Sequence, residues 1–203
     1  DITAGELILQ GTGISVGANT SLAGIPVLDL EAGSGTITLA AGTLTAATLL
    51  ADATGGLRQT GGTLSATTLT TATGLAGGVT LNAGTNSLST IAAIGSLTGD
   101  LRLLDAVPVT VTGSLQAPHI MLKDQAAGTA ITLAGTLAGT TSIELDTTLG
   151  SVSSTAAGVI ATPLLTSTGV DQGITLGGAN SIAAIGTLEA AKGDVAVSDT
   201  AAL

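Results

Sequence analysis

Short runs in which apolar and polar residues alternate occur along the whole chain. Examples are TITLA at 36–40, GGVTLNA at 77–83 and SIELD at 142–146. A period of two is typical of strands with one buried side, and turn residues (Gly, Asn, Asp, Ser) interrupt the runs about every eight to twelve positions. No stretch has the 3.6-residue period of a capped amphipathic helix. The pattern therefore predicts an all-β protein with almost no α-helix.

A longer repeat organises these runs. Two motifs recur 94 positions apart: ITLA at 37–40 and 131–134, and a Gly-acid-aliphatic marker at 5–7, 99–101 and 193–195. We therefore predict one continuous β-helix over 1–203, with long repeats at about 1–94 and 95–188 and the start of a third at 189–203. The pattern is open at both ends, so we expect a fragment of a longer protein.

A right-handed parallel β-helix, or β-solenoid, is the architecture that this repeat favours. Hairpin loops of Asn-Gly or Asp-Gly type, which are common in sandwiches and barrels, are absent from the sequence. Parallel β connections are overwhelmingly right-handed. We expect roughly 19–24 residues and three short strands per turn, giving about nine turns and a rod on the order of 40 Å long, because stacked strands lie about 4.8 Å apart.

Composition limits both the core and the partners. The 203 residues include 30 Gly but no Phe, Tyr, Trp or Cys, so the core must be thin and has no disulfides. The net charge is −10 with four Lys and Arg residues, which argues against nucleic acid and anionic lipid as partners. The apolar runs are too short and too often interrupted for membrane insertion of this segment.

The shaft repeats of filamentous-haemagglutinin-like exoproteins, which are passengers of two-partner secretion systems, resemble this sequence, as do autotransporter-type passengers more broadly. The resemblance rests on VPVTVTGSLQAPHIMLKD (107–124), AITLAGTL (130–137) and NSIAAIGTLEAAKGDVAVSDTAAL (180–203). It implies a secreted or cell-surface bacterial adhesin or extracellular fibre, with a structural role, no catalytic residue and no cofactor. The expected partners are other copies of the same fibre, and a host or surface glycan is the alternative partner.

Charged and titratable residues give no catalytic, cofactor or metal site by their spacing. His119, the one histidine, has only Lys123 and Asp124 nearby, and we interpret that pair as a solvated turn. Asp52 and Asp146 are repeat equivalents at strand ends, and Glu6, Asp100 and Asp194 follow a Gly at a turn. Each of these positions recurs once per long repeat. Its copies therefore lie too far apart to act as the paired carboxylates of glycoside hydrolysis. No calcium-loop motif occurs. Binding of an isolated calcium ion at the surface stays open.

Threonine pairs leave one alternative function open. Thr-x-Thr occurs at 36/38, 43/45, 68/70 and 110/112. A flat face with a regular threonine lattice could bind ice or glycans, but these pairs follow one another at irregular intervals. We therefore prefer a structural, non-catalytic role over a ligand-binding module. A continuous polar or Thr array along one face of the structure would instead favour binding.

Overall fold

The computed structural model of the protein describes residues 5–18, 21–126, 128 and 130–200. Neighbouring strands pair in parallel, and the chain winds as a β-solenoid of about nine turns, which confirms the predicted fold class. No helix occurs in these residues. The strands are Glu6–Gln10 (β1), Ile14–Val16 (β2), Ser21–Glu31 (β3), Ile37–Leu39 (β4), Thr43–Asp52 (β5), Gly56–Gln59 (β6), Thr63–Thr70 (β7), Gly78–Leu81 (β8), Ser87–Ile91 (β9), Gly95–Ser96 (β10), Leu101–Asp105 (β11), Val109–Val111 (β12), Ser114–Asp124 (β13), Ala130–Leu133 (β14), Thr136–Thr147 (β15), Ser151–Ser154 (β16), Val159–Thr162 (β17), Leu165–Val170 (β18), Gly173–Ile182 (β19), Ile185–Ala190 (β20) and Val195–Asp199 (β21).

Two stacks of strands run along the solenoid. We call the stack β1–β3–β5–β7–β9–β12–β14–β16–β19–β21 sheet A and the stack β2–β4–β6–β8–β11–β13–β15–β18–β20 sheet B. In sheet A, Thr68 lies directly above Thr48, and Thr90 lies above Thr68, so a turn takes 20 to 22 residues here. This agrees with the predicted turn length. The prediction of three short strands per turn was wrong for several turns, where one long strand that bends replaces two short ones.

The long strands lie in sheet A near the start of the chain and in sheet B in its middle, and β19, of 10 residues, pairs with β16 of sheet A and also with β17. β3 and β5, of 11 and 10 residues, belong to sheet A, whereas β13 and β15, of 11 and 12 residues, belong to sheet B. In sheet A, four turns lead from Glu6 to Thr90 and a fifth leads to Thr110. Asp100 lies midway in the sequence between Thr90 and Thr110, next to β11 of sheet B. The 94-residue repeat is therefore four and a half turns, and repeat equivalents lie on opposite sides of the solenoid.

Small aliphatic side chains fill the space between the sheets. The buried apolar residues form one cluster from Val16 to Ile182. They stack in rows along the axis, for example Leu28, Leu49, Leu69 and Ile91. Burying one such side chain stabilises the fold by about 1.5–3 kcal/mol relative to leaving it in water. Each turn obtains this burial from its neighbours, because a single turn is too thin to enclose a core.

Two buried asparagines fasten successive turns at equivalent places in the repeat. The Asn86 Oδ1 accepts the backbone N–H of Leu64 from the turn below at 3.1 Å, and its Nδ2 donates to the Leu104 carbonyl above at 3.3 Å. Asn180 does the same with Ile160 at 2.8 Å and Ser198 at 2.8 Å. Both amides are fully buried, and each satisfies backbone groups that the strand ladder leaves unpaired at a corner.

Candidate functional site

Asp52 and Asp146 each clamp the turn above them. The Asp52 Oδ1, at the end of β5, accepts the backbone N–H groups of Thr73 and Gly74, each at 2.7 Å. In β15, Asp146 accepts the backbone N–H of Thr168 at 2.8 Å and the hydroxyl of the same residue at 3.1 Å. Both carboxyl groups are buried, at 6% and 2% exposure. They lie on opposite sheets, four and a half turns apart, so they do not form a catalytic pair.

The electrostatics of Asp52 fit this clamping role. Burial acts to raise the pKa of its carboxyl group, but hydrogen bonds from the backbone N–H groups of residues 72–74 and from the Thr73 hydroxyl outweigh burial. The net effect holds the pKa of Asp52 below its ordinary value. A carboxylate that accepts several N–H donors is stabilised in its ionised form. Asp52 is thus a charged structural anchor.

Glu6, Asp100 and Asp194 occupy the same place in successive repeats. Glu6 begins β1, whereas Asp100 and Asp194 stand just before β11 and β21. All three side chains are exposed. Since β1 and β21 belong to sheet A and β11 belongs to sheet B, the three acids alternate between the two sides of the solenoid. They are not brought together into a site.

His119 lies on the outer surface of sheet B among polar neighbours. Its Nδ1 is 2.9 Å from the Ser142 hydroxyl in the next turn, and its backbone N–H donates to Asp100 at 3.3 Å. With Arg102 and Glu144, these residues line a shallow depression of about 310 Å³. Burial and the neighbouring Asp146 raise the pKa of Glu144. The Asp100 carboxylate contacts the histidine backbone and not its ring, which differs from a catalytic triad.

The interpretation of Lys123 and Asp124 as a solvated turn was wrong. Both residues belong to the end of β13, and the Asp124 side chain is fully buried on the inner side of sheet B. Lys123 points to the outer side, where its Nζ lies 3.8 Å from Asp146. Consecutive strand residues face opposite sides of a sheet, so adjacent charges in the sequence are separated here.

A continuous column of hydroxyl side chains runs along the outer surface of sheet A. Each member stands directly above the previous one, and Thr110, Thr132 and Thr175 are each flanked along their strands by two buried residues. We call this set the hydroxyl column; its members are Thr48, Thr68, Thr90, Thr110, Thr132, Ser153 and Thr175. Seven successive turns thus present a hydroxyl group at about 4.8 Å spacing.

A second column beside it contains only uncharged residues. Two positions further along each strand the residues are Leu50, Thr70, Ala92, Thr112, Ala134, Thr155 and Gly177. The pairs Thr68/Thr70 and Thr110/Thr112 therefore lie on one face, two turns apart. The irregular intervals in the sequence were misleading for two reasons. The other Thr-x-Thr pairs belong to other parts of the turn, and in the turn between the two aligned pairs Ala92 stands where a second threonine would be. A search for single residues 20–22 apart would have found the column.

The outer surface of sheet B has a different character. The column that corresponds to the hydroxyl column consists of Ser15, Thr38, Arg58, Thr80, Arg102, Met121, Glu144 and Thr166. Three of the four cationic residues of the chain, Arg58, Arg102 and Lys123, lie on this sheet. The two broad faces of the solenoid therefore differ over these turns: the hydroxyl column of sheet A contains no charged residue, whereas the corresponding column of sheet B contains Arg58, Arg102 and Glu144.

Two shallow grooves follow the bends of the long strands. One, of about 420 Å³, is lined by Pro26, Ala46 and Ser65 among others. The other, of about 480 Å³, is lined by residues that include Gly139, Ala161 and Pro163. The two grooves correspond through the long repeat and lie on opposite sides of the solenoid. Both are lined by small, uncharged side chains.

An acidic group surrounds Asp29 at the lower end of sheet A. Asp29 is 8% exposed, and its Oδ1 has no hydrogen-bond partner in the described part of the chain. Burial, followed by the nearby carboxylates of Glu31, Asp52 and Glu6, raises the pKa of Asp29. Across residues 5–18, 21–126, 128 and 130–200, however, no three His, Asp or Glu side chains are arranged to hold a metal ion.

Comparison with protein-family models, with curated proteins and with solved structures finds no match for this chain. Within the described residues, no helix has the length and apolar character to cross a membrane. The candidate functional features are therefore those of the solenoid itself: the hydroxyl column, the charged face of sheet B and the buried polar residues that join the turns.

Proposed function

We propose that the chain is a structural shaft segment of a secreted or cell-surface bacterial adhesin or extracellular fibre, and that it has no catalytic role. The observation that carries this proposal is the uniform stacking of turns. One aliphatic cluster extends from Val16 to Ile182, and every turn repeats the same parallel pairing. Such a rod lengthens by adding repeats without any change in its cross-section.

The polar contacts between turns support the same role. Asn86 and Asn180 join neighbouring turns by equivalent hydrogen bonds, and Asp52 and Asp146 clamp the turns above them. These buried groups hold the turns in register, as a load-carrying shaft requires. The resemblance of 107–124, 130–137 and 180–203 to shaft repeats of filamentous-haemagglutinin-like exoproteins supports the extracellular setting, with other copies of the fibre as the expected partners.

Measuring particle length tests the shaft proposal. We would compare this chain with a version that carries one additional copy of residues 95–188, by electron microscopy and small-angle X-ray scattering. The expected gain is about 22 Å, from four and a half turns at about 4.8 Å each, with an unchanged cross-section. A globular particle, or an unchanged length, would contradict the proposal.

Assays on a panel of polysaccharides test the absence of catalysis. We expect no turnover. Turnover that is lost in Asp100→Asn or Glu144→Gln, two changes on the surface of sheet B, would overturn this part of the proposal. Both substitutions keep the shape of the side chain. Retained pairing of residue 144 with Met121 in the adjacent strand would show that the fold is intact.

A second candidate function rests on the hydroxyl column. Seven hydroxyl groups at regular spacing, next to a column without charges, form a flat face that suits an ordered, uncharged surface such as ice or a crystalline glycan. Each contact would be weak, because the chain has no aromatic residue to act as an anchor. Several contacts would act together, so binding would depend on the length of the column.

Charge substitution on the two faces tests this second candidate. We would replace Thr90 and Thr110 together by Lys and compare the result with Thr80→Lys, which lies in the corresponding column of sheet B. If the face binds, the double variant should lose at least tenfold in thermal hysteresis activity or in co-sedimentation with crystalline cellulose and chitin, and Thr80→Lys should not. Absence of binding by the unchanged chain would eliminate this candidate.

A further inference from the structure

Lys123 and Asp146 place an amine and a carboxyl group side by side in adjacent turns. The two residues are register partners in β13 and β15. The Lys123 Nζ lies 3.8 Å from the Asp146 Oδ2, and the two side chains are 40% and 2% exposed. This separation is longer than a hydrogen bond. A small rotation of the lysine side chain would bring its nitrogen to the separation of about 3–3.5 Å at which near-attack conformers react.

The two oxygens of the Asp146 carboxyl group have different surroundings. Its Oδ1 accepts the backbone N–H of Thr168 at 2.8 Å and the Ser167 hydroxyl at 3.4 Å. Its Oδ2, which faces Lys123, accepts the Thr168 hydroxyl at 3.1 Å. Fixed donors at one oxygen stabilise the negative charge that develops there when a nucleophile attacks the carbon. Oδ1 is therefore placed to remain as a carbonyl oxygen, and Oδ2 is placed to leave.

Glu144 adds a second carboxyl group beside this pair. It precedes Asp146 by two positions in β15, so both side chains are on the outer side of sheet B. Burial, the charge of Asp146 and a hydrogen bond between the two carboxyl groups raise the pKa of Glu144, whereas the positive charges of Lys123 and Arg102 act in the opposite direction. A carboxyl group in contact with the reacting atoms can carry a proton between them as a general acid and base.

We propose that Lys123 and Asp146 condense to an isopeptide bond that joins two adjacent turns of the rod covalently, with Glu144 as the proton carrier. Proton transfer within the ion pair gives a free amine and a neutral carboxyl group. The Nζ then attacks the Cγ of Asp146: the Nζ–Cγ bond forms and the Cγ–Oδ2 bond breaks. Glu144 moves one proton from the nitrogen to the departing oxygen, which leaves as water. One ammonium group and one carboxylate thus become one amide and one water molecule, without any further reactant.

The long repeat confines this bond to one level of the rod. In the preceding repeat the positions equivalent to 123, 144 and 146 hold Asp29, Leu50 and Asp52. The carboxyl group that clamps the next turn is repeated, but the amine and the proton carrier are not. The inference depends on the contacts around Asp146 and not on the role of the chain as a shaft, so either proposal can fail without the other.

Mass spectrometry of the unchanged chain tests the bond. After incubation at neutral pH, the intact protein should be lighter than its sequence mass by one water molecule. A protease digest should contain the peptides of Lys123 and Asp146 joined through their side chains. Lys192 and Asp171 provide an internal control: their ion pair is closer, at 3.0 Å, but the side chains are 63% and 13% exposed. We expect this hydrated pair to stay ionic and its peptides to stay separate.

Three variants separate the bond from an ordinary ion pair. Lys123→Arg keeps the positive charge but lacks the amine, so its mass should equal its sequence mass. Glu144→Gln keeps the shape of the side chain but cannot carry the proton, so the linked fraction at early times should fall by about tenfold or more, and Glu144→Asp should restore part of it. Far-UV circular dichroism checks that each variant keeps its strands.

Two outcomes would overturn the isopeptide bond. One is an intact mass of the unchanged, folded chain equal to its sequence mass. The other is a loss of water that persists in Lys123→Arg, because the water would then come from another reaction, such as ring closure of an aspartate side chain on its own backbone. A linked fraction that Glu144→Gln leaves unchanged would overturn the role of Glu144.

Discussion

Gly178 approaches the carbonyl oxygen of Gly158 in the turn below so closely that a Cβ atom on Gly178 would stand 1.8 Å from that oxygen. The contact is between two backbones, so no side-chain rotation can relieve it. The neighbouring Gly177, in contrast, faces open space, with nothing within 4 Å of its Cβ position. This difference between adjacent residues indicates how tightly the turns are stacked.

Gly178→Ala should therefore destabilise the solenoid, and Gly177→Ala should not. Relief of a backbone clash requires the turns to separate locally, which we expect to lower the free energy of unfolding by about 3 kcal/mol. The effect of Gly177→Ala should stay within about 0.5 kcal/mol. Urea denaturation followed by far-UV circular dichroism measures both. Equal effects of the two substitutions would contradict the stacking geometry.

Asn86→Leu and Asn180→Leu should both destabilise the solenoid, and Asn86→Leu should cost more, because it also removes the two hydrogen bonds between Asn86 and the buried Gln59 side chain. Each removes an amide that joins the turn below to the turn above, and leaves buried backbone groups without partners, at a cost of about 1–3 kcal/mol. Hydrogen exchange at Leu64 and Ile160, the amides that donate to the two asparagines, localises the loss. Local measurement is preferable because repeat proteins need not unfold in one step. A neutral effect at either site, or a larger cost for Asn180→Leu, would contradict this prediction.

Asp52→Asn should weaken the rod at neutral pH and lose its effect in acid. The native carboxylate accepts several N–H groups, and its lowered pKa means that its contribution to stability is present above the pKa of the unfolded chain and is lost as the pH falls through the folded pKa. The free energy of unfolding should drop by about 1–3 kcal/mol at pH 7. Denaturation curves at pH 7 and below pH 3 would show whether the free energies of unfolding of the unchanged chain and of Asp52→Asn converge in acid. A penalty that is the same at both pH values would contradict the charged clamp.

Leu137→Ala tests the contribution of the thin core. Leu137 is fully buried in β15, whereas Leu149 is 43% exposed and provides the matched control. Truncation of a buried Leu should cost about 2–5 kcal/mol, because a cavity remains in a core that has few large side chains to fill it. Leu149→Ala should cost less than about 1 kcal/mol. Similar midpoints of thermal unfolding for the two variants would argue against the stacked aliphatic core.

The sequence predicted the fold class because both of its signals are visible without knowledge of the three-dimensional structure. Alternation at period two indicates strands, and repetition of the Gly-acid-aliphatic marker at 94 positions indicates stacked turns. The turn length was predicted only as a range. The exact number of residues per turn decides on which sheet a residue lies. The half-turn offset between Asp52 and Asp146 therefore became visible only in three dimensions.

Two features of the surface and interior were missed for related reasons. The hydroxyl column has steps of 20 to 22 residues, so a search for Thr-x-Thr at a fixed interval breaks it into unrelated pairs. Asp124 was assigned to a solvated turn because charged residues are mostly exposed. Its inward position follows from the strand alternation of residues 120–124, with Ile120 and Leu122 also facing the core.

A repeat of four and a half turns has a directional consequence for any protein that contains this unit in tandem. Gain or loss of one unit would rotate everything beyond it by half a turn about the filament axis. A change of two units would leave its orientation unchanged. The parity of the repeat number, and not only the total length, would then decide whether appendages at the two extremities point the same way.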